Sequence, residues 1–342
     1  LVAGTGAAAR AGILIRDIDT LERAHAVDTV VFDKTGTLTE GRPALTAILP
    51  VGFSQAELLA LAASAQQGSE HPLGQATVRA AAERGLPMLA PERLQAVAGE
   101  GIIAAVGGRT VKIGRPDFVG VPEPWRTQVE ALERDAKTVV AVAIADSFAG
   151  LLTFSDPLRP DAAHAVQELR RRGLEVVLLS GDNRATAETV ARALGIARVL
   201  APVRPEDKAN EIASLQRQGR VVAMVGDGLN DAPALAAADV GLAMGSGVDV
   251  ALEAANITLL RPHPSLVPAA LDIARATHRK IWQNLFWAFI YNLAGIPIAA
   301  SGALNPALAG VAMALSSVSV VANALLLRRW QAPPIAPQSL KT

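Results

Sequence analysis

A short apolar strand that ends in an acidic residue constrains this chain more than any other feature. Residues 29–32 (Thr-Val-Val-Phe) are β-branched or aromatic, which is typical of a buried strand. The segment Asp33-Lys34-Thr35-Gly36-Thr37 follows directly. Because open α/β sheets bind ligands at the carboxyl ends of their strands, this pattern predicts a reactive carboxylate, Asp33, at such an edge. Gly36 lets the loop backbone approach a phosphate closely.

Two later stretches repeat this arrangement. Residues 175–179 form a run that is apolar after Glu175 and stops at Ser180-Gly181-Asp182. Residues 220–225 form another, apolar after Arg220, that stops at Gly226-Asp227-Gly228-Leu229-Asn230-Asp231. Phosphoryl transfer requires a nucleophile, a hydroxyl or amide donor, a fixed cation and Mg²⁺. The residues that fit these four needs are, in order, Asp33, Ser180, Lys208 and, as a ligand of the metal ion, Asp227.

Together these motifs resemble the haloacid-dehalogenase-type phosphorylation core of heavy-metal P-type ATPases. The resemblance implies an α/β fold: a haloacid-dehalogenase-like, doubly wound parallel sheet with an inserted α+β nucleotide-binding domain, followed by a two-helix transmembrane hairpin. It implies that Asp33 accepts the terminal phosphate of ATP, and that Mg²⁺ is held by Asp33, the Thr35 carbonyl and Asp227. The other residues to which it gives a catalytic role are Ser180, Lys208, Asn230 and Asp231.

The alternation of strands and helices predicts six segments. In chain order they are the end of a membrane helix with a cytoplasmic connector (1–26), the first part of the phosphorylation domain (27–44), the nucleotide-binding domain (45–150), the second part of the phosphorylation domain (151–265), a stalk with two transmembrane helices (266–330) and a disordered tail (331–342). The insertion is expected to rejoin the core near Asp156-Pro157, which is the predicted hinge.

A helix start and a glycine-rich turn predict the nucleotide site. Ser69-Glu70-His71-Pro72 opens a predicted helix, and Gly99-Glu100-Gly101 precedes a predicted hairpin. Taken alone, His71 is more simply a helix-capping residue. Beside these glycines it resembles the His-Pro nucleotide-binding domain of heavy-metal P-type ATPases, which implies contacts to ATP from Glu70, His71, Gly99, Gly101 and Gly114. An asparagine commonly follows the last glycine in that family, and here the residue is Arg115.

The chain ends in a stretch suited to a membrane. Residues 281–327 contain no charged residue and no histidine, which is long enough for two helices of about 20 residues each. Residues 302–306 are the predicted turn. Arg279-Lys280 and Arg328-Arg329 flank the stretch and predict that both ends are cytoplasmic. We therefore expect a multi-pass protein of the cell membrane with cytoplasmic catalytic domains; a buried hairpin of a soluble protein is the alternative.

Polar residues inside these spans point to the transported ion. Polar groups within a membrane helix are costly and usually functional, and a methionine thioether favours Cu(I). Tyr291-Asn292 and the Met-x-x-Ser-Ser run at 313–317 resemble the copper-transporting subclass. That resemblance implies Cu⁺ as the transported substrate, with Tyr291, Asn292, Met313 and Ser317 as its ligands. Asn323 is assigned to packing between the helices. ATP, the metal cation, the lipid bilayer and a copper chaperone are the partners that this resemblance suggests.

Composition and single residues bear on the alternatives. Lys and Arg total 32, as do Asp and Glu, so no basic field indicates nucleic acid, and the absence of cysteine excludes a thiolate metal site within this chain. A pump for Zn²⁺, Cd²⁺ or Co²⁺ would use charged or histidine ligands in the last two spans. A soluble phosphatase of the superfamily would place a second aspartate where Thr35 stands. A nucleotide-binding regulatory fragment without chemistry is the third alternative.

Two motifs of the pump family do not occur in this sequence. It contains no Thr-Gly-Glu, the segment by which the actuator domain of that family positions water, and no Cys-Pro-Cys membrane motif. We therefore expect the chain to be the C-terminal part of a longer pump. By itself it is expected to bind ATP but to hydrolyse it slowly.

Overall fold

The chain folds as two units, each built on its own sheet. The structure is a computed structural model and describes residues 2–69, 71–135, 137–227, 231–245, 254–301 and 305–332. The first unit comprises Leu1–Leu38, Arg159–Gly181 and Leu194–Thr342, and the second comprises Thr39–Leu158 and Asp182–Ala193.

The described elements alternate as the sequence predicts for an α/β protein with an α+β insertion. The strands are β1 (Ile13–Ile15), β2 (Thr29–Asp33), β3 (Ala44–Pro50), β4 (Arg93–Val97), β5 (Gly101–Val106), β6 (Arg109–Gly114), β7 (Thr138–Ile144), β8 (Ser147–Ser155), β9 (Glu175–Leu179), β10 (Arg198–Leu200), β11 (Val222–Gly226), β12 (Val240–Met244) and β13 (Ile257–Leu259). The helices are α1 (Val2–Arg10), α2 (Ile18–Ala24), α3 (Gln55–Ala65), α4 (Pro72–Glu83), α5 (Pro116–Val119), α6 (Glu123–Arg134), α7 (Ala162–Arg171), α8 (Arg184–Leu194), α9 (Lys208–Arg217), α10 (Ala232–Ala237), α11 (Leu266–Ala300) and α12 (Pro306–Leu325). Shorter helical turns cover Lys34–Leu38, Pro205–Asp207 and Leu326–Arg329.

The sheet of the first unit has β2 in its interior. Its strand order is β1-β13-β12-β11-β2-β9-β10. All neighbouring pairs are parallel except β1 with β13, which is antiparallel and forms one edge. The predicted doubly wound parallel sheet is therefore confirmed, and the short antiparallel edge strand is an addition that the sequence analysis missed.

The register of this sheet brings the predicted loops to one edge. Asp33 lies opposite Leu179, so Ser180 follows immediately after the neighbouring strand. On the other side Phe32 lies opposite Val225, which places Gly226 beside Asp33 and Asp227 just beyond it. Because these strands are parallel, their carboxyl ends meet at a single edge.

The second unit is built on an antiparallel sheet. Its strand order is β3-β8-β7-β6-β5-β4, and α3 and α4 pack on it around a core that includes Leu58, Leu59 and Phe154. Ser54 caps the start of α3. Ser54 Oγ accepts a hydrogen bond from Glu57 N at 3.2 Å, and Glu57 Oε2 accepts one from Ser54 N at 2.9 Å, which together form a capping box.

Some elements of the second unit differ from the predicted ones. The sequence analysis missed α6, β3 and β4; β4 is a strand of five residues, most of which are exposed. The predicted boundaries after residues 44 and 150 fall in β3 and β8, which pair with each other from Ala44↔Ser155 to Pro50↔Gly150. The first unit instead ends at Leu38 and resumes at Arg159. The six-segment division remains a prediction.

The chain ends in a helical hairpin. The predicted stalk and first span form one 35-residue helix, α11, which contacts α12. Among the described residues one stretch, Ala309–Arg329, is long and apolar enough to cross a membrane. The expectation of two such stretches is therefore only half met, since Gln283, Asn284 and Asn292 make α11 less apolar. Residues 302–304 of the predicted turn, and residues 333–342 of the tail, lie outside the described residues.

Candidate active site

A buried lysine joins two buried carboxylates at the edge of the first sheet. Asp33, at the end of β2, is 5% exposed. The Nζ atom of Lys208 donates hydrogen bonds to Asp33 Oδ1 and to Asp231 Oδ1, each at 2.6 Å. Lys208 is the first residue of α9, and Asp231 directly precedes α10. Three elements of the first unit therefore supply one ion-pair cluster, and the structure brings these three predicted residues together.

Glycine makes room for the remaining carboxylate. Gly36 has a φ of 74°, a backbone conformation that favours glycine, and a Cβ atom at this position would overlap the Asp227 carboxylate. Gly226 is similarly close to Asp231, since an added Cβ would lie 2.6 Å from Asp231 Oδ2. The ligand atoms of Asp33, Asp227 and Asp231 consequently all lie within 4.8 Å of one another.

Burial and mutual repulsion raise the pKa of the carboxyl groups. Desolvation, followed by the charge of Asp231, raises the pKa of Asp33 to about 7, against the opposing effect of Lys208. Desolvation and Asp231 likewise raise the pKa of Asp227 to about 6. Burial by itself would lower the pKa of Lys208, but attraction to Asp33 and Asp231 outweighs it and the pKa is raised. Lys208 therefore stays charged, whereas the cluster still has an excess of acid.

The donor set fits a magnesium ion. Mg²⁺ prefers carboxylate and carbonyl oxygens, and three carboxylates near a single ammonium leave negative charge uncompensated. The hydroxyl of Thr37 is fully buried and has no hydrogen-bond partner among the described residues, so a polar group of this loop awaits a ligand or water. Thr35 is exposed, with extended backbone (φ −76°, ψ 128°). The residues present are thus suited to hold Mg²⁺.

Of two further predicted site residues, Ser180 and Asn230, the structure describes only Ser180. Ser180 is 1% exposed and follows β9; its backbone N–H donates to Leu200 O at 3.1 Å, and its carbonyl accepts from Val203 N at 3.0 Å. Asn230 lies outside the described residues, so its predicted role is not located. The sequence analysis missed Arg159, which binds the carbonyls of Gly36 and Thr37. A basic residue two positions after the predicted hinge was the available signal.

The second unit holds the predicted nucleotide-site residues. His71 caps α4, because its Nδ1 accepts a hydrogen bond from Leu73 N at 3.2 Å, and its side chain is exposed. The capping interpretation is therefore correct, and it leaves the role in nucleotide binding untested. α3 contacts both α4 and the β5–β6 hairpin. Glu70 lies outside the described residues.

The predicted glycines occupy positions where side chains do not fit. Gly101 and Gly114 face each other across β5 and β6, and a Cβ at either would overlap backbone atoms of the opposite strand. Gly99 has a φ of 75° in the preceding turn. The N–H of Arg115 donates to Glu100 O at 2.9 Å, so Arg115 closes this turn through its backbone.

Among the described residues, no hydrogen bond joins the predicted copper ligands of α11 to those of α12. The hydroxyl oxygen of Tyr291 lies 3.3 Å from Ser319 Oγ, so the hydrogen-bond partner of Tyr291 is Ser319 and not the predicted ligand Ser317. The Asn292 side chain donates to its own helix at Ala288 O, and Ser317 Oγ donates to Met313 O at 3.1 Å. The side chain of Met313 points outward, since the residue is 73% exposed.

Asn323 links the two helices of the hairpin, as assigned. Its Nδ2 donates to Asn284 Oδ1 and its Oδ1 accepts from Lys280 Nζ, both at 2.8 Å. Because unpaired polar groups are costly in a membrane, such a bridge favours a fixed register between α11 and α12.

Removing the cation from the cluster should destabilise the first unit. We expect Lys208→Met to lower the free energy of local unfolding around β2 by about 3–5 kcal/mol at pH 8, because it leaves two buried carboxylates without a partner. Amide hydrogen exchange of β2 and β11 measures this energy. Adding Asp231→Asn to the variant should restore part of the loss. Unchanged exchange in Lys208→Met would contradict the ion-pair geometry.

The raised pKa of Asp33 predicts the sign of a pH effect on stability. The folded chain binds a proton at this carboxyl more tightly than the unfolded chain does, so its contribution is full below the ordinary pKa of 3.8 and is lost as the pH rises through about 7. In EDTA we expect the Tm of the wild type to fall relative to that of Asp33→Asn between pH 5 and pH 8. A constant Tm difference, or one of opposite sign, would refute this assignment.

This chain is similar to known proteins by a family model and by sequence. A family model described as a hydrolase of the haloacid dehalogenase-like type matches residues 27–239. A copper-exporting P-type ATPase of Bacillus subtilis (strain 168) is 47% identical over 334 residues, which are 96% of this chain and 42% of that protein. The probable copper-transporting ATPase PacS of Synechococcus elongatus is 47% identical over 344 residues, 97% of this chain and 46% of that protein.

Solved structures that resemble this chain are also ATPases of this kind. A zinc-transporting PIB-type ATPase in the E2.Pi state is 42% identical and superposes with a TM-score of 0.90 over 96% of this chain and 54% of that chain. The catalytic domain of the CPx-ATPase CopB-B is 29% identical with a TM-score of 0.64, over 79% of this chain and 98% of that domain. The chain spans less than half the length of the two curated relatives. It belongs to the haloacid dehalogenase-like hydrolase family, and within it corresponds to the C-terminal catalytic portion of heavy-metal P-type ATPases.

Proposed function

We propose that this chain is the catalytic and C-terminal membrane part of an ATP-driven pump for Cu(I), phosphorylated on Asp33. The observation that carries the proposal is the buried cluster in which Lys208 bonds to both Asp33 and Asp231 at 2.6 Å. A nucleophilic carboxylate, a fixed cation and further carboxylates at the carboxyl edge of a parallel sheet suit phosphoryl transfer.

In the proposed step Asp33 acts as a covalent nucleophile. A carboxylate oxygen of Asp33 attacks the terminal phosphorus of ATP; the new P–O bond forms as the bond to the bridging oxygen breaks, and ADP leaves with that electron pair. Asp33 must be ionised for this attack, and Lys208 favours its charged form against burial. Lys208 also neutralises charge on the transferred group, while Asp231 holds the ammonium in place. Ser180 and Asn230 are proposed as donors to the phosphoryl oxygens.

We assign the magnesium ion to Asp33, Asp227 and the Thr35 carbonyl. When bound, Mg²⁺ neutralises negative charge on the phosphates and on the acyl phosphate. The separation of the Asp33 and Asp227 ligand atoms, within 4.8 Å, supports this assignment. Because both carboxyl groups have a raised pKa, they would have to lose protons in order to hold the ion near neutral pH and below.

Thr35 sets the fate of the phosphorylated enzyme in this proposal. Its side chain cannot act as the general acid and base that a second aspartate provides in soluble phosphatases, so the acyl phosphate persists until another group positions water. ATP is assigned to the second unit, around Glu70, His71, Gly99, Gly101 and Gly114. The likeness to a catalytic domain studied upon nucleotide binding supports this.

Copper is the proposed cargo, and zinc is the second candidate. The curated relatives named above are copper-exporting or copper-transporting proteins, and Met313 offers a thioether within the membrane hairpin. The similarity to a zinc-transporting ATPase favours the alternative. In the copper proposal Tyr291, Asn292, Met313 and Ser317 bind the ion in the lipid bilayer, and a copper chaperone is a source of the ion.

Replacement of the nucleophile should abolish labelling by ATP. Incubation of the full chain in detergent with [γ-³²P]ATP and Mg²⁺ is expected to give an acid-stable phosphoprotein. Asp33→Asn should give none, because the amide cannot form the acyl phosphate. The matched control is Asp28→Asn, which changes an acid just before the opposite end of β2. Equal labelling of Asp33→Asn and the wild type would refute the proposed function.

Loss of the thioether should distinguish copper from zinc. We expect Met313→Leu, which nearly conserves side-chain volume, to weaken Cu(I) binding about tenfold, or about 1.4 kcal/mol, and to leave Zn²⁺ binding unchanged. Competition of the full chain in detergent with chromophoric chelators measures both affinities. Met88→Leu, in the second unit, is the control. Unchanged Cu(I) affinity in Met313→Leu would count against copper ligation by this residue.

A further inference from the structure

Arg159 forms hydrogen bonds to the loop that follows the nucleophile. Its Nη2 donates to Gly36 O at 2.7 Å and its Nε donates to Thr37 O at 3.1 Å. Its backbone N–H donates to Leu38 O at 2.9 Å. Three successive carbonyls of the loop therefore bind to a single residue, and all these atoms belong to the first unit.

The loop needs such a partner because its backbone is not regular. Thr35 is extended and Gly36 is left-handed, so the turn at 34–38 breaks the helical pattern. Carbonyls in such a turn lack the partners that a regular helix supplies, and buried carbonyls are rarely left without one. The half-buried guanidinium presents two parallel donors in a rigid plane, which fits two neighbouring carbonyls.

Fixing Gly36 also fixes the distance to Asp227. The two residues are so close that even a methyl group at Gly36 would overlap the Asp227 carboxylate. A shift of this glycine therefore changes the separation between Thr35 and Asp227, the two groups assigned to Mg²⁺ besides Asp33. The positive charge of Arg159 also acts on Asp227 and opposes the effect of the neighbouring acid Asp231.

We infer that Arg159 is a positioning residue for the magnesium site: through the Gly36 and Thr37 carbonyls it holds the nucleophile loop at the spacing that Mg²⁺ requires. The inference rests on the proposed function only for the identity of the metal ligands. Residues that orient the ligands of a metal ion typically contribute 10- to 100-fold to metal affinity.

The test compares Mg²⁺ dependence in matched arginine variants. For the full chain in detergent without nucleotide, the Mg²⁺ concentration that gives half of the maximal rise in Tm is measured for wild type, Arg159→Gln and Arg159→Lys. We expect this concentration to rise about tenfold in Arg159→Gln. Arg159→Lys should show a smaller rise, because an ammonium lacks the planar pair of donors.

Arg170→Gln is the control for the loss of an arginine-to-carbonyl bond elsewhere. Arg170 lies in α7 of the same unit and donates to Gly195 O at 2.6 Å. We expect this variant to keep the wild-type Mg²⁺ midpoint. A wild-type midpoint in Arg159→Gln, or an equal shift in Arg170→Gln, would overturn the inference. If Arg159→Gln does not fold, Arg159→Lys decides in the same way.

Phosphorylation provides the second readout. In ³²P labelling we expect Arg159→Gln to need more Mg²⁺ for half-maximal labelling while the ATP concentration for half-maximal labelling stays unchanged, a split that general destabilisation would not produce. An equal rise in both would overturn the inference. A wild type that is stabilised by Mg²⁺ but not labelled would refute the proposed function alone, since the Tm comparison still decides the role of Arg159. A wild type without any Mg²⁺ effect would overturn the inference itself.

Discussion

The bond between Lys208 and two buried carboxylates is the interaction on which the site depends. A carboxylate at the end of a central strand could not stay ionised in such surroundings without a nearby cation. Lys208 supplies it from the start of α9, and Asp231 holds that cation from the start of α10. Both α9 and α10 are therefore linked to the interior strand β2 by charge as well as by apolar packing.

The same cluster carries a conflict between stability and chemistry. Burial, followed by the mutual repulsion of three acidic groups within a few ångströms, raises the pKa of Asp33 to about 7 and that of Asp227 to about 6. Such crowding lowers the stability of the folded chain at neutral pH. It also creates the negative charge that a divalent cation can neutralise, so the arrangement suits a site that works with a bound metal ion.

The sequence was sufficient for the parts of the site that follow from strand ends. Asp33 and Asp227 could be grouped because parallel strands deliver their last residues to one edge, and Asp231 follows in the same sequence segment. Lys208, which begins α9, was added because phosphoryl transfer needs a fixed cation. The contacts of Arg159 could not, since they depend on the turn taken by the loop after β2. Tyr291 meets Ser319 rather than Ser317 because the rotation of one helix against another is set by packing, which composition does not determine. β4 was missed because its alternating run, residues 93–96, is too short to distinguish a strand from a loop.

The close contact at Gly36 has one further consequence. Gly36 contributes no side-chain torsion to this contact, and the spacing of the two backbones is governed by the hydrogen bonds between β2 and β11. Few rotamers remain to be frozen when a ligand enters, and the ordering entropy has already been spent during folding. The cleft is thus as preorganised as the sheet beneath it.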